Sequence, residues 1–580
     1  VLHRELRFLL HEVVGAADLL KRDAFTHLES ADLDAILSNA DDLATREFAP
    51  IAAILDSEPP CFADGAVSTH PRLAQALQAY ARAGHLSAGL PLAAGGLQAP
   101  AALTAALMAL FGAACTPAAG YAFLSAAAAR LIQAFGDDWQ RDTFLPPLRD
   151  GRWTGTMCLS EPHAGSALGD VRTRAIARPD GTYTLSGAKM WISGGDNDFA
   201  ENIVHLVLAR IDGGDARASG LSALIVPKIG LDARPNGVRT IGLNHKLGHR
   251  ATTNCALSFG ADMACTGYLI GEPHRGLSVM FHMMNEARIG VGVTAAATAY
   301  AGLIYASTYA SGRIQGRDAR TGSPALIVEH PDVRRMLLIQ KAIAEGGLCL
   351  CLAAARLVDD ANTHPDPGAA MAASRRLAIL TPLVKLWCSE RGVEANSLAI
   401  QVLGGAGYVR DHPVERLYRD QRLNPIHEGT NGILALDFVM RGLRRDAGAT
   451  MAEILADIAR DAAAGPDRGD TPGQAGGGGL GDALYTAQKA LRALADAQGE
   501  WAQAWASPAA LMVGDLLVAA LWLRQTRALA GRTDAYARGK RAAAQGFLQL
   551  ILPQSLAIAR AIAAGASPPH LDLSPDVFAL

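Results

Sequence analysis

A chain of 580 residues is too long to fold around one hydrophobic core, so about two to four domains are expected. Half of its residues are hydrophobic and 19% are charged, an ordinary globular composition that excludes a fibrous or disordered chain. With 53 basic and 56 acidic residues the formal net charge is -3, which leaves no basic footprint for nucleic acid or an anionic membrane.

Residues 1–152 read as a helical domain. Leu6, Leu9, Leu10, Val13 and Val14 recur at helical spacing, as do Leu33, Ile36, Leu37 and Leu43. The opening Val1 to Arg7 is charged from the start, so no cleavable signal is expected there. No uninterrupted apolar run reaches the ~18 residues that span a bilayer, so no membrane segment is expected. A Pro/Gly-rich loop from Leu90 to Pro100 divides the domain. The texture changes near Gly151. Across 153–275, β-prone runs such as Asn202 to Leu208 and Ser222 to Pro227 alternate with turn signals, which predicts a small β-domain. Helical spacing returns over 276–445. A linker region is expected at 446–481, Gly-rich from Gly465 to Gly481. An appended helical domain follows at 482–580, in which Ala509 to Leu523 reads as a buried helix despite Asp515. The fold class is therefore mainly α with a β-domain insert. The eight cysteines form no Cys-x-x-Cys pair and no Cys/His cluster, so no metal site is expected. Unpaired thiols suit a reducing, cytoplasmic location.

Four segments carry residue types suited to chemistry. Met157-Cys158-Leu159-Ser160-Glu161-Pro162-His163-Ala164-Gly165-Ser166 combines hydroxyls with Gly and Pro, which lets backbone approach a flat ligand; a polar surface loop has the same composition. Gly187 to Gly195 holds Trp191, Ile192 and Ser193, an aromatic that could stack on a ring and a hydroxyl that could bond its edge; packing into a β core is the bland alternative. Gln401-Val402-Leu403-Gly404-Gly405 suits backbone approach to a phosphate or ribose, or simply a tight helix connection. Ile426-His427-Glu428-Gly429-Thr430-Asn431-Gly432-Ile433 places a carboxylate just before an amphipathic helix, with Thr430 or Asn431 as its N-cap; a surface Glu favoured by the helix dipole would look alike.

In this order and spacing, the segments resemble the acyl-CoA dehydrogenase family from the Leu90–Pro100 loop to Leu443. The opening residues and the appended helices resemble its longer bacterial branch. The resemblance implies an N-terminal helical domain, a middle β-barrel or sandwich, a C-terminal helical bundle and FAD as cofactor. It makes Met157, Leu159, Ser160, Gly165 and Ser166 the flavin-ring loop, with Ser166 also near the substrate. Trp191, Ile192 and Ser193 flank the ring, and Thr430 and Asn431 are further flavin contacts. Arg313 and Gln315 match a segment that meets the FAD of a neighbouring subunit, and Gln401, Gly404 and Gly405 match one that meets its adenosine side. Asn285, Arg288 and Gly429 fall at CoA-substrate positions. Glu428 matches the base that removes the proton α to an acyl-CoA thioester, its own N–H and a flavin hydroxyl polarising the carbonyl. A family variant carries its base on an earlier helix, where this chain has Ala287; Glu286 beside it is turned by ~100°.

The resemblance further implies α,β-dehydrogenation with electrons passed to an electron-transfer flavoprotein, and a homodimer or homotetramer. The branch favours a short-chain or methylthio-substituted propionyl group as the acyl chain, with longer or aromatic groups left open. An oxidase using oxygen is the alternative within the same chemistry. A nucleic-acid-associated flavoprotein is the alternative outside it, and residues 446–580, with acids and bases in near balance, argue against that.

Overall fold

The computed structural model describes every residue except 216, 319, 466–477, 498, 572 and 580. The chain divides into two compact units. One comprises Val1–Asp34, Ala101–Ala109 and Arg288–Leu580; the other comprises Ala35–Pro100 and Leu110–Ala287.

The second unit contains the β-insert and most of the N-terminal helical region. An early hairpin, β1 (Cys61–Ala63) and β2 (Ala66–Ser68), interrupts a stretch that reads as wholly helical. Its turn residues Asp64 and Gly65 both have left-handed backbones, φ 52° and 78°, as a two-residue hairpin requires. The main sheet comprises β3 (Trp153–Cys158), β4 (Arg174–Ala177), β5 (Tyr183–Ser193), β6 (Asn202–Arg210), β7 (Leu221–Pro227), β8 (Val238–Leu243), β9 (Asn254–Phe259) and β10 (Cys265–Ile270). They run in the order β10-β7-β6-β4-β5-β9-β8. β10 also pairs with β5, which closes a ring, and β3 adds to β6 in parallel. β6 and β7 are buried on both faces from Asn202 to Ala209 and from Leu221 to Pro227, which explains their unbroken apolar runs.

The helix Ala101–Phe135 departs from helical geometry at Cys115, two residues before Pro117, as expected where a proline ring meets the preceding turn. Beyond that point Tyr121 and Ser125 fix the strands beside it. The Thr253 N–H donates to the Tyr121 hydroxyl at 2.8 Å, and the Gly155 N–H donates to Ser125 Oγ at 3.0 Å. A Cβ on Gly155 would stand 2.5 Å from the Ala128 methyl, so only glycine lets β3 pass this close.

The first unit is helical. Its principal helices are Gly276–Gly312 from residue 288 onward, Pro331–Thr363, Pro367–Leu403, Ala506–Ala528, Ala535–Gly546 and Leu552–Ala563. The first 34 residues join it because Glu5, on the helix Leu2–Phe8, is buried against Lys540 and accepts from the Tyr536 hydroxyl at 2.8 Å. Lys540 also reaches Glu345 at 3.0 Å, so one sealed ammonium serves two carboxylates.

Two expectations are corrected. The linker region 446–481 contains a helix, Ala449–Ala464, whose Met451, Ile454, Leu455 and Ile458 are buried at helical spacing; its residues 466–477 lie outside the described residues. Five helices are long and apolar enough to cross a bilayer by length and composition, where none was expected. A few charges within a window break an apolar run without removing its mean hydropathy. In four of the five, 72–83% of the window is buried within the protein; in Ala535–Ala563 the share is 39%.

The expected buried helix is Ala506–Ala528, and Asp515 is its one fully buried charge. Its carboxylate accepts from Trp387 Nε1 at 2.7 Å, from both Nε (3.2 Å) and a terminal nitrogen (2.6 Å) of Arg391, and from Ser555 Oγ at 2.5 Å. Gly514 makes room, since a Cβ there would lie 2.3 Å from the Trp387 ring. Replacing Asp515 with Ala leaves the buried Arg391 guanidinium with Glu394 alone and Trp387 Nε1 without its acceptor, and a cost of about 3–5 kcal/mol is expected. Denaturant unfolding should show it; an unchanged midpoint would contradict this account.

Candidate active site

Each unit carries its own constellation of the expected residues. In the second unit, the loop after β3 is pinned to β5 from inside. Lys189 is fully buried and donates to the Leu159 carbonyl at 2.9 Å and to Glu161 Oε1 at 3.0 Å. Glu161 also accepts from the N–H groups of Arg172 (2.8 Å) and Thr173 (2.9 Å) and from the Thr173 hydroxyl (2.6 Å). Burial alone would raise the Glu161 pKa; Lys189 and these donors outweigh it and bring the carboxyl to about 2. Burial pulls Lys189 downward against the attraction of Glu161, but two oxygen acceptors at hydrogen-bond distance fit the charged ammonium. The Met190 N–H closes the arrangement on the Ser160 carbonyl at 3.0 Å.

One residue beyond Met190 the strand bulges. Between the pairs Lys189↔Leu257 and Ile192↔Cys255, β5 places two residues, Met190 and Trp191, against one on β9, Ala256. Trp191 occupies this irregularity with φ 66°, an outlying backbone for so bulky a side chain, and is 60% exposed. The ring is aimed at solvent rather than the core, which sets aside the bland reading. Gly165 and Ser166 are exposed, with open space where a Gly165 side chain would be. Ser193 is half-buried near Asn254. Met157 and Ile192 pack into the two hydrophobic clusters of this unit, and Leu159 packs against the first, which leaves chiefly their backbone for a ligand. Asn285 lies in the helix Gly276–Gly312, and its neighbour Glu286 is paired with Arg130 Nε at 2.8 Å.

In the first unit, Glu428 lies in the turn before the helix Asn431–Asp437 with φ 55°, and Gly429 follows at φ 90°. Two successive left-handed residues reverse the chain at the carboxylate. A Cβ on Gly429 would meet Leu434 at 3.2 Å and would lie 3.9 Å from the Arg288 guanidinium. Glu428 is half-buried, and its N–H donates to no protein acceptor among the described residues. Burial pushes its carboxyl above the ordinary range, against the pull of Arg288 and Lys385. Arg288, expected at a CoA position, is itself buried and faces Glu428 and Asp437. Thr430 is the N-cap, its hydroxyl accepting from the Ile433 N–H. The Asn431 amide is buried and bonded to Lys385, Ser389 and Glu390. The helix interior supplied these partners, and only Asn431 was visible in the motif.

Arg313, Gln315, Gln401, Gly404 and Gly405 form a separate, exposed group. Ala306 and Ala310 of one helix pack with Ala399, Val402 and Leu403 of the other, so the ends carrying these residues stand together. The Arg313 side chain has no protein partner among the described residues, and side chains at Gly404 and Gly405 would meet nothing within 4 Å. From Ser389, beneath the Glu428 turn, to Gln401 is roughly 18 Å along the helix. The structure therefore keeps this group apart from Glu428. Sequence reasoning missed Glu161, Lys189 and Lys385; a lone lysine amid apolar residues is the signal each lysine offered.

Acyl-CoA dehydrogenase family models match the chain in succession: the N-terminal domain at 30–152, the middle domain at 156–261 and the C-terminal domain at 274–443. A module described as acetyl-CoA dehydrogenase C-terminal like matches 450–569. The 3-methylmercaptopropionyl-CoA dehydrogenase of Ruegeria pomeroyi is 36% identical over 463 residues, 78% of each chain. The broad-specificity linear acyl-CoA dehydrogenase FadE5 of Mycobacterium tuberculosis is 34% identical over 78% of this chain and 77% of its own. Among solved structures, Caenorhabditis elegans ACDH-11 in complex with C11-CoA superposes with a TM-score of 0.75 at 20% identity, covering 99% of this chain and 91% of that one. A Bacillus anthracis acyl-CoA dehydrogenase complexed with FAD gives 0.75 at 22%, covering 94% and 90%. At those identities the two structures bear on the fold alone. On four successive domain matches and relatives aligned over most of their length, this chain belongs to the acyl-CoA dehydrogenase family.

Proposed function

We propose that this protein dehydrogenates an acyl-CoA thioester between its α and β carbons, with Glu428 as the base. One observation carries the reading: a carboxylate, lifted above its ordinary pKa by burial, is held at a left-handed turn beside a backbone N–H that no acceptor among the described residues uses. A carboxylate in that state is suited to removing a proton near neutral pH, and the spare N–H is suited to a substrate carbonyl in which negative charge grows.

FAD is the cofactor of the family, and the residues present fit it. Trp191 offers an exposed aromatic face, Gly165, Gly404 and Gly405 leave open backbone, and Arg313 holds an exposed guanidinium, unpaired among the described residues and suited to a phosphate. When bound, the cofactor supplies the acceptor for the hydride from the β carbon. The chain's own residues do the rest. Glu428 takes the α proton, Arg288 and Gly429 shape the turn around it, and the loop from Met157 to Ser166 with Trp191 and Ser193 orients the ring. The distance that separates Arg313 and Gln401 from Glu428 suits a role toward the cofactor of a second copy in a homodimer or homotetramer. A short linear or methylthio-substituted propionyl-CoA is the proposed substrate, supported by what the relatives from Ruegeria and Mycobacterium are named for. An electron-transfer flavoprotein is the proposed acceptor, and a cytoplasmic location suits eight cysteines that form no disulfide.

Glu428→Gln is expected to retain FAD and to lose flavin reduction by about 10³-fold, within the range for removing a positioned base. Anaerobic mixing with a panel of acyl-CoAs, followed by the bleaching of the flavin, is the measurement; a variant reduced at near the parent rate rules the base out. Because the base must be ionised, the parent's reduction rate should fall as pH drops below a midpoint above the ordinary carboxylate value of about 4.3. A midpoint at or under that value would contradict the raised pKa.

Glu161→Gln should leave Lys189 without its counter-charge, loosen the loop and weaken FAD binding at least about tenfold, or 1.4 kcal/mol. Equilibrium titration of the apoprotein with FAD tests it. The Glu161 carboxyl is depressed in the folded protein, so its stabilisation is complete at neutral pH and is lost only as pH falls from about 4.5 toward 2. FAD released while the pH is still near 6 would point to another cause.

A further inference from the structure

Beneath the Glu428 turn lies a third sealed lysine, after Lys540 and Lys189. Lys385, on the helix Pro367–Leu403, is fully buried and donates to the Gly429 carbonyl at 2.8 Å and to Asn431 Oδ1 at 2.9 Å. The Asn431 amide nitrogen in turn donates to Ser389 Oγ at 2.9 Å and to Glu390 Oε1 at 2.7 Å. The Asn431 N–H returns to the Pro425 carbonyl at 3.0 Å, so the turn is tied at both ends. Three charges face Lys385: Glu428 from the turn, Glu390 from its own helix and Arg288 from the helix Gly276–Gly312. Burial brings Lys385 down to about 7, with the two carboxylates opposing that fall.

We propose that Lys385 is the positioning residue for the Glu428 carboxylate, holding the left-handed turn through the Gly429 carbonyl while presenting a buried positive charge to the base. The reasoning rests on the assignment of Glu428 above. A turn with two successive positive φ values, one of them at a non-glycine residue, persists only where the surroundings over-determine it. The Gly429 carbonyl is the group that this geometry turns inward, and Lys385 is its partner. An uncharged donor could hold that carbonyl equally well. The ammonium adds a charge beside a carboxylate that must ionise where water is scarce, and that is a contribution to the chemistry rather than to the fold.

Two variants separate the parts. Lys385→Met removes both hydrogen bonds and the charge; Lys385→Gln keeps a donor and removes only the charge. The positive neighbour favours ionised Glu428, so losing it raises the pKa of the base and moves the acid limb of flavin reduction to higher pH. Both variants should show that shift by about one pH unit, a factor of ten in rate on the limb. Lys385→Met should also reduce flavin about 10²-fold more slowly at the pH plateau and exchange the amide hydrogens of 427–431 at least tenfold faster, with FAD content unchanged. Lys385→Gln should keep the exchange close to the parent's. Acid limbs that overlay the parent's in both variants overturn the proposal, as does unchanged exchange in Lys385→Met. If Lys385→Met does not fold, the limb of Lys385→Gln decides alone, and an unmoved limb overturns it. The two assignments fail differently. An active Glu428→Gln defeats the base, whereas an inactive Glu428→Gln beside unchanged exchange in Lys385→Met defeats only Lys385.

Discussion

An ammonium sealed from water has to give its protons to oxygen, and twice in this protein the oxygen belongs to a loop with work to do. Lys189 gives to Leu159 and Lys385 to Gly429, each with a side-chain oxygen as its second acceptor. Burying a cation costs several kcal/mol unless partners of good geometry surround it. The loop backbone is therefore not free to drift: moving either carbonyl leaves a charge uncompensated in a dry interior. The remaining features of each constellation follow from that requirement.

The strained residues come next. Trp191 and Glu428 are both left-handed without being glycine; Trp191 stands two residues after Lys189 itself, and Glu428 stands next to Gly429, whose carbonyl Lys385 holds. Such conformations cost of order 1–3 kcal/mol each. A bulge throws the Trp191 ring outward, and a reversal at Gly429 turns the Glu428 carboxylate toward Arg288 and Lys385. Rigid supports let two unfavourable backbones persist, and those backbones present an aromatic face and a carboxylate that relaxed chain would turn elsewhere.

Much of this is written locally and some of it is not. The β-insert is legible because strands buried on both faces leave unbroken apolar runs between turn residues. The helix around Asp515 is legible because its neighbours leave the aspartate no apolar excuse to be elsewhere. Glu428 is legible through its company of Gly429 and Thr430. The two lysines are not, since Lys189 meets Glu161 from 28 positions away and Lys385 meets Gly429 from 44, with no pattern between. Nor is the outward turn of Trp191, which depends on the register of β5 against β9. The first helix joins the C-terminal helices through Glu5 and Lys540, a pairing 535 positions apart. The helix Ala449–Ala464 was hidden by the turn signals around it.

The helix Pro367–Leu403 serves three masters at once. Lys385 and Ser389 support the Glu428 turn, Trp387 and Arg391 are locked to Asp515, and its far end carries Gln401. The appended C-terminal helices are consequently no detachable ornament. A chain cut before residue 506 would expose Trp387 and leave Arg391 with a single partner, Glu394, on the very rod that supports the Glu428 turn. Any ancestor that acquired these helices acquired a dependency with them, and shortening the protein again would demand repacking one whole flank of that rod.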